Sequence, residues 1–304
     1  MDFIYDTIKK RNKKFTRKKG KFKTLKCHPK HFTSKNHTLR KSCLKPDILS
    51  LMKQIWNKRY PDNRILSHNS EDIWNKMKEN MKSSCSNEMC WIKNTFKNPK
   101  VVRKLNRRLF APTTPNSWKK NMNEWLSSNE IIDVMSQYEE TFPEFKFFGP
   151  SPIDFDTMEI KDHCVWPEIC NINIRKLLTK KKNKLGFIFN TDKHYQPGSH
   201  WIALFVDLKK NVIFSFDSNG DEEPEEITQL IRKINKQCKL LNLNMKIDTN
   251  FPKVHQRSNT ECGMYCLYFI ISLLKGTHNT DYFKKTRIPD KSVEKLRQIY
   301  FNNI

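Results

Sequence analysis

The stretch Val254-His255-Gln256-Arg257-Ser258-Asn259-Thr260-Glu261-Cys262-Gly263-Met264-Tyr265-Cys266 decides how this chain is read. A polar loop containing Gln256 runs into Cys262-Gly263, and apolar residues follow at once: Tyr265, Leu267, Tyr268, Phe269, Ile270, Ile271, Leu273 and Leu274. Apolar density of that kind over about three turns predicts a buried helix with Cys262 at its start. There the positive end of the helix dipole favours thiolate over thiol. A free cysteine is also a common packing residue, so Cys262 gains chemical meaning only if the chain supplies a base, an orienting group and an oxyanion donor. Cys266, one turn further on, reads as packing.

The upstream segments offer all three. Residues 185–190, 199–207 and 211–217 are short runs rich in aromatic and β-branched residues, and 208–211 is a hairpin-like turn between the last two. His200 begins the second run, so its imidazole can stand at the end of a sheet and face the start of the Cys262 helix. A cysteine beside a histidine can form a thiolate–imidazolium pair, which holds the nucleophile ready near neutral pH. Asp217 ends the neighbouring strand, where it can orient that ring. Gln256 lies six residues before Cys262. Its amide can donate, together with the Cys262 backbone N–H, to a developing oxyanion. His194, in a turn, and His255, beside Gln256, are the competing bases. Taken singly, a strand-end histidine and an aspartate opening the turn 218–220 are ordinary structural features. Trp201 reads as core that can also pack over the imidazole.

The rest of the chain frames this constellation. Apolar spacing predicts helices beginning at Pro46, at Ser70 and around Val101, a small helical domain over 46–108. Ala111-Pro112-Thr113-Thr114-Pro115 marks a boundary. Beyond it, a helix capped by Ser127 or Ser128, a strand at 145–150, a helix-like patch at 171–178, a helix opening at Pro224-Glu225-Glu226, a fourth strand at 243–247 and a last helix at 292–301 are expected. The fold class is α+β: a central mixed sheet flanked by helices over 109–304.

Charge is uneven. The chain carries a net +25, and residues 1–50 hold sixteen Lys/Arg against three acids, or 16 − 3 = +13. Such a block predicts a disordered basic arm over 1–45, able to bind nucleic acid without sequence preference or to act as a solubilising tail or targeting signal. The chain has neither a run long and apolar enough to span a membrane nor a signal-peptide start, so no membrane partner and an intracellular or particle-borne location are expected. Nine cysteines at irregular spacing predict free thiols rather than a disulfide framework. Cys27-His28-Pro29-Lys30-His31 lacks a second ligand pair at finger-like spacing, and neither metal nor other cofactor is expected.

Residues 189–192, 200–207 and 255–263, in the order His200, Asp217, Gln256, Cys262, resemble the SUMO-protease-like cysteine peptidases. Within them, the look is of the polyprotein-processing proteases of large nucleocytoplasmic DNA viruses. The resemblance covers about residues 109–275; Trp125-Leu126-Ser127-Ser128 is similar to the family's opening helix. It implies a papain-like core of the adenovirus-protease type with a helical N-terminal domain. It implies catalysis by His200, Asp217 and Cys262, Gln256 in the oxyanion hole, and Trp201 and Gly263 as supporting residues. It also implies cleavage of viral precursors after Gly-Gly during virion maturation, in the virion and the host cytoplasm. A viral member of the family has an amide residue where this chain has Asp217, and either type can orient the base. Two alternatives stay open: removal of ubiquitin-like modifiers from host proteins, and a non-catalytic, nucleic-acid-binding virion protein.

Overall fold

The computed structural model describes residues 21–33, 39, 41–159 and 163–304. Most of the expected basic arm, residues 1–20, 34–38 and 40, lies outside them. The described residues fall into two compact units, one drawn from 21–25 and 39–106 and the other from 26–33 and 107–304. Residues 26–33, counted in the arm from charge alone, thus group with the larger unit: Cys27 bridges Phe110, and the Asn302 side chain bonds both backbone groups of Lys26.

The smaller unit holds α1 (Pro46–Arg59), α2 (Ser70–Met81), α3 (Glu88–Thr95) and most of α4 (Pro99–Leu109). The cap of α2 is Asn69, directly before the expected start at Ser70, with Oδ1 accepting from the N–H groups of Glu71 and Asp72. By composition 85–90 reads as a polar loop. Instead α3 starts inside it, because Asn87 accepts from Cys90 N–H and so caps a helix that buries Met89, Trp91 and Ile92. Cys85 and Cys90 are bonded, as are Cys164 and Cys170 in the larger unit. These pairs correct the free-thiol expectation; they join cysteines only five and six positions apart, too close to register as a long-range framework. Cys238, Cys262 and Cys266 are free.

In the larger unit α5 (Ser128–Thr141) opens on a capping box formed by Ser127 and Glu130. There follow β1 (Phe145–Pro152), α6 (Pro167–Cys170), α7 (Ile174–Thr179), β2 (Lys184–Asn190), β3 (Trp201–Asp207), β4 (Val212–Phe216), α8 (Glu225–Lys239) and β5 (Lys246–Thr249). The chain ends with α9 (Cys262–Lys275), α10 (Thr280–Lys285), α11 (Asp290–Glu294) and α12 (Arg297–Tyr300). The expected single C-terminal helix is two short ones, and α10, capped by Asn279, was not foreseen. The strand expected at 243–247 is β5 and starts only at Lys246, because Leu243 and Met245 pack against the core before it.

The sheet runs β1-β2-β3-β4-β5, with parallel outer pairs and antiparallel inner ones. This is the expected mixed sheet with helices on both faces. One core joins α5 and α9 to the sheet; the other buries Ile227, Leu230, Ile231 and Ile234 of α8. Of the fourteen residues of α9, eleven are buried, so the helix is a central core element rather than a surface one. Phe269 stacks on Phe216 of β4 at 4.7 Å and meets Phe283 edge-on at 5.0 Å. Aromatic pairs of this kind add about 0.5–1.5 kcal/mol each beyond area burial, and they fix α9 against β4. The left-handed turn that ends α9 needs Gly276, at φ +68°.

Candidate active site

Strand ends and one helix start converge on Cys262. In the β3–β4 ladder Ala203 faces Phe216, so the beginning of β3 and the end of β4 share one edge of the sheet. His200 precedes the first and Asp217 follows the second. His200 Nε2 lies 2.7 Å from Asp217 Oδ1, which leaves Nδ1 for the Cys262 thiol, the other partner of the ring. Burial by itself pulls the His200 pKa down. Hydrogen bonds and charge from Asp217 and Cys262 outweigh it and push the value up to about 10. At neutral pH the ring is an imidazolium, able to pair with a thiolate and later to give up a proton.

Asp217 is itself held from several sides. Asn219 N–H donates to its Oδ1 at 2.8 Å. Asn250, buried, brackets the Asp217 peptide: its Oδ1 accepts from Asp217 N–H at 2.8 Å and its Nδ2 donates to Asp217 O at 2.7 Å. Gln256 is buried on the other side of the turn. Its Oε1 accepts from Ser218 Oγ at 2.9 Å, and its Nε2 donates to Ser258 O at 2.7 Å. The amide is thereby locked, with one N–H of its NH2 used and the direction of the other set. Ser218 also receives the backbone N–H groups of His255 and Gln256 on its carbonyl.

Glu261, the residue before Cys262, is fully buried, and both its oxygens accept from Arg297, each at 3.1 Å. The guanidinium in turn lies 4.5 Å from the Trp118 ring centroid. Burial raises the Glu261 pKa and Arg297 opposes that rise. Removing one partner of such a buried pair leaves an uncompensated charge, at a cost of about 3–5 kcal/mol.

Gly263 sits in a crowded place: a Cβ there would come within 3.0 Å of Leu126 Cβ and 3.2 Å of Trp201 Cδ1, so its neighbours would have to give way by a few tenths of an ångström. Trp201 donates from Nε1 to Leu126 O at 2.9 Å, and both residues also line a cleft of about 790 Å³ with Trp125, Trp166 and Gly198. The competing histidines go elsewhere. His255 is buried and accepts from Ile288 N–H; burial, with Lys253 and Arg287 nearby, pushes its pKa down to about 4. His194 pairs with Asp154 at 2.8 Å.

His200, Asp217, Gln256, Cys262, Trp201 and Gly263 therefore gather at one site. Asn250, Ser218 and Arg297 support it without having been foreseen. Ser218 had registered only as part of a turn, and neither Asn250 nor Arg297 carries a local pattern. Among the described residues no group of three or more His, Cys, Asp or Glu is placed to hold a metal.

The family model for the Ulp1 protease family, C-terminal catalytic domain, matches residues 136–304, which include every residue gathered around the sulfur except Trp118, Trp125 and Leu126. The chain belongs to the Ulp1 protease family. It is a cysteine-type peptidase. A protein of Acanthamoeba polyphaga mimivirus described as a thiol protease is 29% identical over 293 residues, covering 91% of this chain and 93% of its own. A cysteine protease of African swine fever virus is 33% identical over 128 residues, 41% of this chain and 46% of its own. A crystal structure of the African swine fever virus protease matches at TM-score 0.65 and 21% identity, covering 93% of this chain and 97% of that one, which shows the shared fold. Among the described residues of this Ulp1-family chain, no helix is long and apolar enough to cross a membrane.

Proposed function

We propose that this Ulp1-family peptidase cleaves viral structural precursors after Gly-Gly sites, with Cys262 as nucleophile, His200 as its base and acid, Asp217 as orienter and Gln256 in the oxyanion hole. The observation that carries the assignment is that His200 is bonded to Asp217 at 2.7 Å at the end of the sheet, with Cys262 as the other hydrogen-bond partner of the ring. The sulfur attacks the scissile carbonyl, and the oxyanion accepts from Cys262 N–H and Gln256 Nε2. His200 then gives its proton to the leaving amine, and a water deprotonated by His200 hydrolyses the thioester. Trp201 and Leu126 pack close beside Gly263, next to the nucleophile, and a narrow approach there would favour a substrate with glycine at the cleavage point. Relatives described as viral cysteine or thiol proteases support a viral precursor as substrate.

A second reading has a specific observation behind it: some African swine fever virus relatives are described as SUMO-1 cysteine proteases. Incubating the purified chain with a Gly-Gly-containing capsid precursor and, separately, with a conjugate of a ubiquitin-like modifier separates the two. Precursor cleavage at least tenfold faster is expected, and the reverse order would replace the first reading by the second. A maturation role puts the peptidase at sites of particle assembly in the host cytoplasm and inside the virion; its absence from purified particles would remove the virion half.

The basic arm supplies a further partner. Residues 1–20 hold eight Lys/Arg and two Asp, 8 − 2 = +6, and precede in sequence the residues that pair with Phe110 and Asn302. We propose that it tethers the enzyme to DNA. Removing residues 1–20 should weaken binding to random duplex and flatten its salt dependence, by about 0.9 in log–log slope per lost phosphate contact, while sparing peptide cleavage. Unchanged affinity for DNA would sink the tether.

A further inference from the structure

We infer that Arg297 is a positioning residue, whose task is to hold the Glu261 carboxylate off the N-terminus of α9 so that the helix end stays open for the sulfur and the oxyanion. This rests on the assignment of Cys262 as nucleophile and names a device that acts on the same site.

Glu261 occupies the N-cap position of α9. The first N–H groups of a helix have no partner inside it and carry its positive end, so a carboxylate on the preceding residue is drawn to them. Caps in this chain show the habit: Asn69, Asn87, Ser127, Asn173 and Asn279 all turn their side chains onto the helices they precede. Glu261 does not; its side chain makes no cap hydrogen bond. Arg297 takes both oxygens in a forked pair, Thr260 Oγ1 donates to Oε1, and Trp118 backs the guanidinium from its far side. Glu261 is fully buried and Arg297 is 3% exposed, so neither charge is relieved by solvent.

Burying such a pair gives little net stability, because desolvation roughly cancels the attraction, and well-packed apolar residues often do as well. A purpose beyond stability fits its position one residue from the nucleophile. A free carboxylate there would occupy the N–H groups meant for the oxyanion and set a negative charge beside a thiolate. A lysine could balance the charge but lacks the planar fork that binds both oxygens at once. The same C-terminal segment also holds the loop at its other end: Asp290 accepts from Arg257 N–H, next to Gln256, and from the Tyr265 hydroxyl.

The test uses the full chain with Arg297→Met, Arg297→Lys and Arg297→Met combined with Glu261→Gln. Each is assayed for kcat and KM on a precursor peptide, for the rate of Cys262 alkylation by iodoacetamide and for melting temperature, at a temperature where it is folded. Arg297→Met should lower kcat about 10²-fold, the size of a lost oxyanion donor, with KM nearly unchanged and alkylation slowed. Adding Glu261→Gln removes the stray charge and should bring kcat back to within about tenfold of wild type. A pair that only stabilises would lower the melting temperature yet leave kcat and alkylation at wild-type values in folded protein, and that result overturns the inference. So does a kcat that stays low in the double variant while its melting temperature recovers. If Arg297→Met does not fold, Arg297→Lys carries the comparison: a partial loss of kcat and of alkylation rate, relieved by Glu261→Gln, supports the inference, and wild-type values in both assays refute it. Wild-type protein without turnover would instead count against the substrate assignment, and the alkylation rates would still decide the role of Arg297.

Discussion

Cys262→Ala should abolish peptide cleavage, lowering kcat by about 10⁶-fold, while the protein stays folded. The sulfur is the one group at the start of α9 that can form a covalent bond to the acyl carbon, and no other free thiol can replace it. Cys266 lies a full turn deeper, with its thiol bonded to Trp201 O at 3.3 Å, and burial pushes its pKa well up. Cys238 is buried in the α8-side core. Cys262→Ser should be equally inactive, because a hydroxyl held by His200 is not ionised as a thiol can be. Gln256→Ala, by contrast, removes one oxyanion donor and leaves the nucleophile, so a loss of about 10²–10³-fold is expected. Product formation by mass spectrometry under single-turnover conditions checks all three, with melting curves as the control. Cleavage by Cys262→Ala above about 1% of wild type would contradict covalent catalysis through this sulfur.

The parts of this site that were readable in the sequence sit at the ends of elements with strong periodicity. The apolar run after Cys262 reads as a buried helix, and the hairpin 199–217 brings its two open ends together, so the meeting of Cys262, His200 and Asp217 was legible in the chain alone. Even there the strands are shorter than their apolar runs: β3 begins at Trp201 and β4 ends at Phe216, so His200 and Asp217 lie just outside the ladder, where their side chains are free to turn toward each other. What stayed hidden depends on packing between distant segments. Asn250 brackets a peptide 33 residues away and Arg297 reaches a carboxylate 36 residues away, with no spacing rule to connect either pair. Ser218 was visible as a turn residue, but the direction of its hydroxyl toward Gln256 is set by the fold of 250–256 over the end of β4.

The second large effect concerns the charge on His200. His200→Ala should cost as much as losing the nucleophile, since members of such a unit fail together. The more discriminating experiment is the pH profile. The histidine must carry its proton to release the amine, and its pKa stands near 10, so kcat/KM of the wild type should hold through neutral pH and fall as pH rises through about 10. The sign for stability follows the same direction. A histidine whose folded pKa lies above its ordinary 6.5 stabilises the fold in full below that value and loses the contribution as pH rises through about 10. Asp217→Asn keeps an acceptor for Nε2 and removes the charge. The imidazolium is then less favoured, and the alkaline limb should move toward neutrality, with the stability gap between the two proteins widest near pH 6 and closed above pH 10. Asp217 is the one group changed between the two proteins, so the shift of the limb is the quantity that isolates it. An unmoved limb would mean that orientation alone is what Asp217 gives the ring, a role an amide fills equally well; a displaced one would make the carboxylate charge part of what keeps His200 protonated.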